Sequence, residues 1–172
     1  MLLIAIGLGI YFYSGQVSDT TETSLTDSSN PILDTEKKVP DFDLKDLNGV
    51  SHTLEQYKGT PLVLNSWAAW CPFCVNELKD FAEVQKDFEG RIVFIAINRA
   101  ESTHIAKQYT DDLGITDDML FLIDPTDSFY KSIGGFSMPE TLIVNGDGNI
   151  VDHKHGSITK NELTNKLNNL LN

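Results

Sequence analysis

The chain has 172 residues, enough for one domain of ordinary size and an additional segment. It carries 25 acidic and 13 basic residues, a formal net charge of −12, and such a surface repels phosphate and argues against nucleic-acid binding. Its two cysteines are too few for a disulfide-dense scaffold or a four-thiolate metal site.

An apolar segment, residues 1–17, comes first in the chain. Met1–Tyr13 is apolar without interruption, and the run softens toward Val17. Its length lies between the roughly 7–15 residues of a signal-peptide core and the ~20 of a membrane-spanning helix. We expect an uncleaved N-terminal membrane anchor. The alternatives are a cleaved signal peptide and a soluble amphipathic or buried segment. Both fit less well, because no clear cleavage site follows and no polar residues alternate within the run to give it a solvated face.

Residues 18–38 have the composition of a linker. Ser, Thr and Asp dominate, little could be buried, and up to Glu36 there are five acidic residues and no basic one. An apolar start, an acidic linker and a folded body at 39–172 predict a domain that is held at a membrane. We expect that domain on the extracytoplasmic side, because its thiol motif, described below, is expected to be accessible.

The body alternates strand and helix patterns. Short strands surround a turn at Asn48–Gly49, continuous apolar runs are typical of buried parallel strands, and apolar residues at three- and four-residue steps indicate helices. The predicted strands are 41–44, 50–54, 60–67, 91–98, 119–123, 140–145 and 149–154, and the predicted helices are 72–89, 102–113, 126–132 and 159–170. This order predicts an α/β fold, a three-layer α/β/α sandwich with a mixed central sheet and extra N-terminal strands.

A Cys-x-x-Cys motif lies where the strand 60–67 leads into the helix 72–89. Cys71 is expected at the helix N-terminus, where free N–H groups and the helix dipole favour a thiolate. Pro72 suits the first helical turn because it needs no N–H partner there. Cys74 follows one turn later, close enough to attack a mixed disulfide formed at Cys71. The motif therefore predicts thiol–disulfide exchange.

Other uses of the two cysteines fit the sequence less well. A zinc site needs a second pair of ligands, and a c-type haem attachment needs His where Val75 stands. A structural disulfide across so short a loop would constrain the unfolded chain little. A copper metallochaperone remains as an alternative from another class. His153 and His155 share one face of a predicted strand, where a weak metal pair is geometrically possible, although such histidines are more often solvated strand residues. We expect no cofactor and no resident metal.

Several motifs together are far more specific than Cys-x-x-Cys alone. They are Pro40-Asp-Phe42, Gly49, the stretch 64–74 that ends in Trp70-Cys-Pro-Phe-Cys74, Met138-Pro-Glu-Thr-Leu-Ile143 and Gly148. With these motifs the chain resembles the TlpA/ResA-like branch of the thioredoxin-fold superfamily, membrane-tethered thiol–disulfide oxidoreductases, over roughly 39–171.

The resemblance implies specific substrate contacts and partners. Pro139 would be the family's cis-proline, which faces the cysteines, and the backbone of Met138 would pair with the substrate. The implied partners are a membrane thiol electron donor or acceptor and disulfide-bearing exported proteins, of which apocytochrome c is one example.

Two acidic residues are expected in the redox centre, and the family keeps acids at both positions. Glu77 follows Cys74 by three residues on an apolar helix face, where a poorly solvated carboxylate would have a raised pKa and exchange protons with Cys74. The alternative for Glu77 is an exposed first-turn residue. Glu101 lies just past the strand 91–98, at the sheet edge where α/β folds place their sites. The alternative for Glu101 is a cap of the next helix.

The direction of the reaction is open from the sequence. The family commonly has proline before the second cysteine, whereas here Pro72 follows the first and Phe73 precedes the second. Because the motif lacks a His or cationic residue that would strongly stabilise the thiolate, we favour a disulfide reductase over a disulfide-forming oxidase. Trp70, Phe73 and Phe136, with Trp67, are expected to form an apolar surface around Cys71 for a peptide-like client. The alternative for Trp67 is a core residue, with Trp70 as a shield beside the cysteines.

Overall fold

The structure is a computed structural model that describes residues 37–172. The expected anchor at 1–17, and the linker up to residue 36, lie outside the described residues. No helix within 37–172 has the length and apolar character that a membrane span needs. Lys37 and Lys38, assigned above to the end of the linker, pair with the body: Lys38 forms a bridge to Asn149, and the Lys37 carbonyl accepts from the Ile150 N–H at 2.8 Å.

The described chain contains seven strands and four α-helices, with a 3-10 helix at Leu54–Tyr57. The strands are β1 Asp43–Asp46, β2 Ser51–Thr53, β3 Leu62–Trp67, β4 Val93–Arg99, β5 Leu120–Asp124, β6 Glu140–Val144 and β7 Ile150–His155. The helices are α1 Cys74–Asp87, α2 Thr103–Leu113, α3 Ser128–Ser132 and α4 Lys160–Leu171. One sheet holds all seven strands in the order β2-β1-β5-β4-β3-β6-β7.

The central strands are parallel and the outer ones antiparallel. β3 pairs in parallel with β4, and β4 with β5, whereas β6 and β7 continue the sheet antiparallel on one side and β1 and β2 on the other. Both parallel connections pass through a helix, α1 and then α2, as parallel strands require. This mixed sheet confirms the predicted fold class.

Helices cover both faces of the sheet. On β3, Val63 packs with Phe81 of α1 and Leu163 of α4, whereas Leu62 and Leu64 pack on the opposite face with Phe129 of α3. A third cluster joins α1 and α2 over β4 on the face of α1. The alternation follows from the two-residue period of a strand and gives the predicted three layers.

The first hairpin begins two residues later than predicted. The pattern predicted a strand at 41–44, whereas β1 runs to Asp46, whose carboxylate Oδ1 accepts from the Asn48 and Val50 N–H groups at 2.8 and 2.9 Å. This side chain holds the turn in which Gly49 has a φ of 83°. An aspartate that hydrogen-bonds the backbone ahead of it is a turn feature that hydrophobic alternation does not report.

The helix after the cysteines is shorter than predicted, and Cys71 does not begin it. Pro72 and Phe73 form a turn in which the Cys74 N–H donates to the Cys71 carbonyl at 3.2 Å, and α1 begins at Cys74. Phe73 is the N-cap residue and has no side-chain oxygen to accept from the first-turn N–H groups. Cys71 therefore precedes the helix by one turn.

Three chain segments meet at one edge of the sheet. The parallel strands β3 and β4 end together, with Trp67 opposite Asn98, so the chain beyond each strand emerges at the same edge. β6 starts there because it runs antiparallel, with Glu140 opposite Ser66. The cysteine motif, residue 101 and the segment before Glu140 are thereby brought together.

Candidate active site

A disulfide joins Cys71 and Cys74, with their Cα atoms 5.5 Å apart. Both side chains lie in an apolar cluster with Trp67 and Leu78, and Met138 packs against that cluster. Cys71 is only 1% exposed, so the expectation of an accessible first thiol is wrong for this disulfide form. Met138 belongs to the segment before Pro139, so its packing on this cluster is a tertiary contact that the motif itself does not indicate.

Three large aromatic side chains on the two segments that carry the cysteines and Met138 are exposed to solvent. Trp70 is 61% exposed, Phe73 is 68% exposed, and Phe136, on the segment that leads to Met138, is 75% exposed. Exposed apolar side chains that cluster beside a reactive group are typical of binding surfaces. These three are exposed as expected, whereas Trp67 is completely buried and belongs to the core.

Glu77 is a buried carboxyl on the helix that begins with Cys74. Its Oε1 accepts from Asn65 Nδ2 at 2.6 Å, and its Oε2 accepts from the Ile158 N–H at 2.8 Å. Burial of the charged form raises the pKa of Glu77 to about 7, although these two hydrogen bonds oppose the shift. Residues three apart on a helix are neighbours on its surface, so Glu77 follows Cys74 on the buried side of α1. The raised pKa is confirmed, and the alternative of an exposed residue is wrong.

Glu101 connects the end of β4 to the loop that precedes the cysteines. Its Oε2 accepts from the Ala69 N–H at 2.9 Å and from Asn98 Nδ2 at 2.7 Å. The cap of α2 is Ser102, whose hydroxyl accepts from the Ile105 N–H, so the alternative of Glu101 as a helix cap is wrong. Glu101 is placed to hold the loop at Ala69 in position.

The segment before β6 lies beside the cysteine pair. The Met138–Pro139 peptide bond is cis, and the Pro139 carbonyl accepts from the Gly156 N–H at 2.9 Å. Because Ser66 is opposite Glu140 in the sheet, Met138 and Pro139 lie next to the chain that leads from β3 to Cys71. The structure therefore brings together the two cysteines and the two residues that the resemblance marks for substrate binding.

Glu140 is a site residue that the sequence analysis missed. Its side chain is completely buried, and Oε1 accepts from the N–H groups of Phe136 and Ser137 at 2.9 Å each. His153 Nε2 lies 3.2 Å from Oε2, and His155 Nδ1 lies 2.9 Å from Oε1. Desolvation acts to raise the pKa of Glu140, but these four hydrogen bonds outweigh it and hold that pKa below its ordinary value.

A sequence signal for Glu140 exists, although it is weak. Glu140 stands between Pro139 and the largely apolar stretch 141–144, which is predicted to be a buried strand. A charged side chain at the start of a buried strand needs partners that compensate its charge. The residues that supply those partners are Phe136, Ser137 and two residues of β7, and only the pairing of β6 with β7 identifies the last two. Glu140 fixes the segment on which Phe136 and Met138 lie.

Comparison with known proteins gives consistent matches over most of the chain. The Redoxin family model matches residues 34–171. The Thioredoxin-like protein YneN of Bacillus subtilis is 31% identical over 134 residues, which cover 76% of this chain and 77% of the relative. The thiol-disulfide oxidoreductase ResA of Geobacillus thermodenitrificans is 24% identical over 171 residues, which cover 99% and 91%. The solved structure of MTB DsbF, in its mixed oxidised and reduced forms, has a TM-score of 0.69 and 25% identity, and the alignment covers 75% of this chain and 94% of that one.

Proposed function

Because this chain belongs to the Redoxin family and is a thiol–disulfide oxidoreductase of the thioredoxin-fold superfamily, we propose that it reduces disulfides in exported proteins through Cys71 and Cys74. The observation that carries the proposal is the Cys71–Cys74 disulfide at the sheet edge, with the buried Glu77 one helical turn beyond it. A cysteine pair that closes and opens, next to a carboxyl that titrates near neutral pH, has the groups that dithiol chemistry needs.

In the proposed reaction the dithiol form of the protein attacks a client disulfide. The Cys71 thiolate forms a mixed disulfide with one client sulfur and releases the other as a thiolate. Cys74 then loses its proton to Glu77 and attacks Cys71, which closes the Cys71–Cys74 disulfide and releases the second client thiolate. Two electrons pass to the client, and a membrane thiol donor returns them to the protein.

The client would bind beside the cysteines through backbone and apolar contacts. We assign the backbone contact to Met138, next to cis-Pro139, and the apolar contacts to Trp70, Phe73 and Phe136. The exposure of these three aromatic side chains and the packing of Met138 against the cysteine cluster support this assignment. Aromatic surfaces of this kind accept unfolded or peptide-like segments without demanding one sequence.

The charges near the cysteine pair support the reducing direction. A stabilised thiolate favours the reduced protein and makes a disulfide an oxidant. Here the motif contains no cation or imidazole, and the carboxyl that neighbours Cys74 becomes an anion as pH rises through about 7. A nearby anion disfavours a second negative charge on sulfur, so the dithiol gives up its electrons more readily.

The reduction potential of the Cys71–Cys74 pair tests the direction. The full chain would be equilibrated in dithiothreitol or glutathione buffers, and the free thiols counted after alkylation. We expect a potential near or below about −250 mV. A potential above about −180 mV would instead make the protein an oxidase that introduces disulfides. A pair that does not cycle would contradict the proposed function and favour the copper-metallochaperone alternative.

A second prediction concerns Glu101 as a positioning residue. Glu101→Ala removes the acceptor of the Ala69 N–H, and we expect the rate constant kcat/KM for a model disulfide peptide to fall about tenfold because the loop before Cys71 loses its position. Glu101→Gln keeps one oxygen for the same two donors and should restore most of the activity. If Gln is as inactive as Ala, the charge of Glu101 acts in catalysis and the positioning role is wrong.

The location of the domain is part of the same proposal. We propose that residues 1–17 anchor the chain in a membrane, that 18–38 link the anchor to the body, and that the domain 39–172 lies on the extracytoplasmic side. The similarity to ResA of Geobacillus thermodenitrificans supports one organisation for both proteins, because it extends over 99% of this chain. Clients would then be exported proteins, for example apocytochrome c during cytochrome c maturation.

A further inference from the structure

Glu140, His153 and His155 form a cluster outside the redox chemistry proposed above. Glu140 begins β6, and His155 ends β7 directly opposite it in the antiparallel register. His153 lies two residues earlier on β7, so both imidazoles are on the same side of that strand. Their ring centroids are 4.1 Å apart.

The donor atoms of the cluster converge. One carboxylate oxygen of Glu140 and one ring nitrogen from each histidine all lie within 4.8 Å of one another. Within residues 37–172, this is the one group of three or more His, Cys, Asp or Glu side chains whose donor atoms are close enough to share a metal ion. Ligands about 2.1 Å from a shared tetrahedral ion are about 3.4 Å apart, so atoms within 4.8 Å of one another need only a small inward movement to share an ion. His153 Nε2 already lies 3.2 Å from Oε2 of Glu140, and His155 Nδ1 lies 2.9 Å from Oε1.

The carboxylate is oriented before any ion binds. The N–H groups of Phe136 and Ser137 hold Oε1, which His155 Nδ1 also contacts, whereas within residues 37–172 the partner of Oε2 is His153. Hydrogen bonds to one oxygen of a ligand carboxylate fix the direction in which the other can donate to a metal. All three ligands stand on paired strands, which hold their positions more accurately than loops do.

The chemistry of the donors selects the class of ion. Two imidazole nitrogens and one carboxylate oxygen suit Zn²⁺, Cu²⁺, Ni²⁺ and Co²⁺, whereas Mg²⁺ and Ca²⁺ prefer oxygen ligands alone. The His155 side chain is 37% exposed, so a fourth position beside it would be open to water. We propose that Glu140, His153 and His155 bind one divalent transition-metal ion, with water as a further ligand.

An ion at this cluster would connect three parts of the client-binding side of the domain. β6, β7 and the segment before Pro139 meet at Glu140, and the ring of Phe136 stacks on His155 with centroids 4.2 Å apart. Binding of an ion to the folded form alone would therefore stabilise the domain and restrain the segment that carries Phe136. If the three side chains instead form only a hydrogen-bond network, no stoichiometric binding of a metal ion is expected.

The test uses the full chain with both cysteines replaced, Cys71→Ser with Cys74→Ser, so that thiolates cannot hold the ion. Zn²⁺ would be titrated calorimetrically, and Co²⁺ followed by its visible absorption. We expect one equivalent of each ion to bind. His153→Asn and His155→Asn should each weaken Zn²⁺ affinity at least tenfold, as the loss of one ligand predicts. The matched control is His104→Asn, which removes an exposed imidazole on α2 and should leave the affinity unchanged.

Thermal unfolding gives a second readout and checks that the variants fold. Excess Zn²⁺ should raise the midpoint of the cysteine-free chain and of His104→Asn, but not that of His153→Asn or His155→Asn. The proposal is overturned if the cysteine-free chain binds no stoichiometric ion, or if all three histidine variants bind equally. Because this chain cannot exchange disulfides, the result is independent of the proposed reductase function.

Discussion

The Cys71→Ser variant is expected to lose all catalysed disulfide reduction, whereas Cys74→Ser should accumulate as a mixed disulfide with its client. Cys71 supplies the attacking sulfur in the proposed reaction, so without it no covalent intermediate forms. Cys74 supplies the second thiolate, so without it the first step proceeds and the client remains attached. Incubation with a disulfide-bearing peptide, followed by mass spectrometry without reductant, distinguishes the two results.

The two single variants are matched controls for each other, because each removes one sulfur from the same disulfide. They share any effect of the lost Cys71–Cys74 bond on folding and differ only in the step that they block. Full turnover by Cys74→Ser would show that the two-thiol mechanism is wrong. A stable mixed disulfide in Cys71→Ser rather than Cys74→Ser would reverse the assigned roles.

The second large effect is expected at Glu77, in the dependence of stability on pH. The pKa of this carboxyl is about 7 in the folded protein and 4.5 as the reference value for an unperturbed chain. Between these values the folded state binds more protons than the unfolded state, so the free energy of unfolding falls as pH rises from 4.5 to 7. The difference corresponds to a loss of roughly 3 kcal/mol, complete above pH 7.

Glu77→Gln removes this titration. In urea denaturation we expect the unsubstituted chain to lose unfolding free energy between pH 4.5 and 7, and the variant to lack that fall. Glu83→Gln is the matched control, because it changes an exposed carboxyl of the same helix whose pKa is lowered by a hydrogen bond from Lys160. The control should keep the fall. If Glu77→Gln keeps it as well, another group titrates in this range.

The same substitution is expected to change the pH dependence of turnover. If Glu77 accepts the proton of Cys74, the rate of disulfide reduction rises as Glu77 ionises and has an inflection near pH 7. Glu77→Gln should remove that inflection and lower the rate above pH 7 by about 10²-fold, the scale of general-base catalysis. A variant that keeps both the inflection and the rate would make Glu77 a structural residue only.

Local sequence features were sufficient for the elements and for part of the site. Cys71, Cys74 and Glu77 lie within seven residues, and the helical period alone places Cys74 and Glu77 side by side. The buried strands β3 and β4 were recognisable as continuous apolar runs, since both faces of a central parallel strand are covered. The existence of these two strands, and of a helix with Cys74 and Glu77 one turn apart, depends on neighbours in the chain, and the structure confirms it.

Contacts between distant segments were decided by tertiary structure alone. Glu101 binds the Ala69 N–H because β3 and β4 end at the same level, and no spacing in the sequence expresses that register. Glu140 meets His153 and His155 only because β6 pairs with β7.

The packing of Met138 against the cluster that contains Cys71 has the same origin, since its segment leads into β6, which pairs with β3. Periodicity and spacing determined which residues have the chemistry for dithiol exchange. The pairing of strands determined which of those residues act together, because the register of a sheet is set by packing across the whole domain.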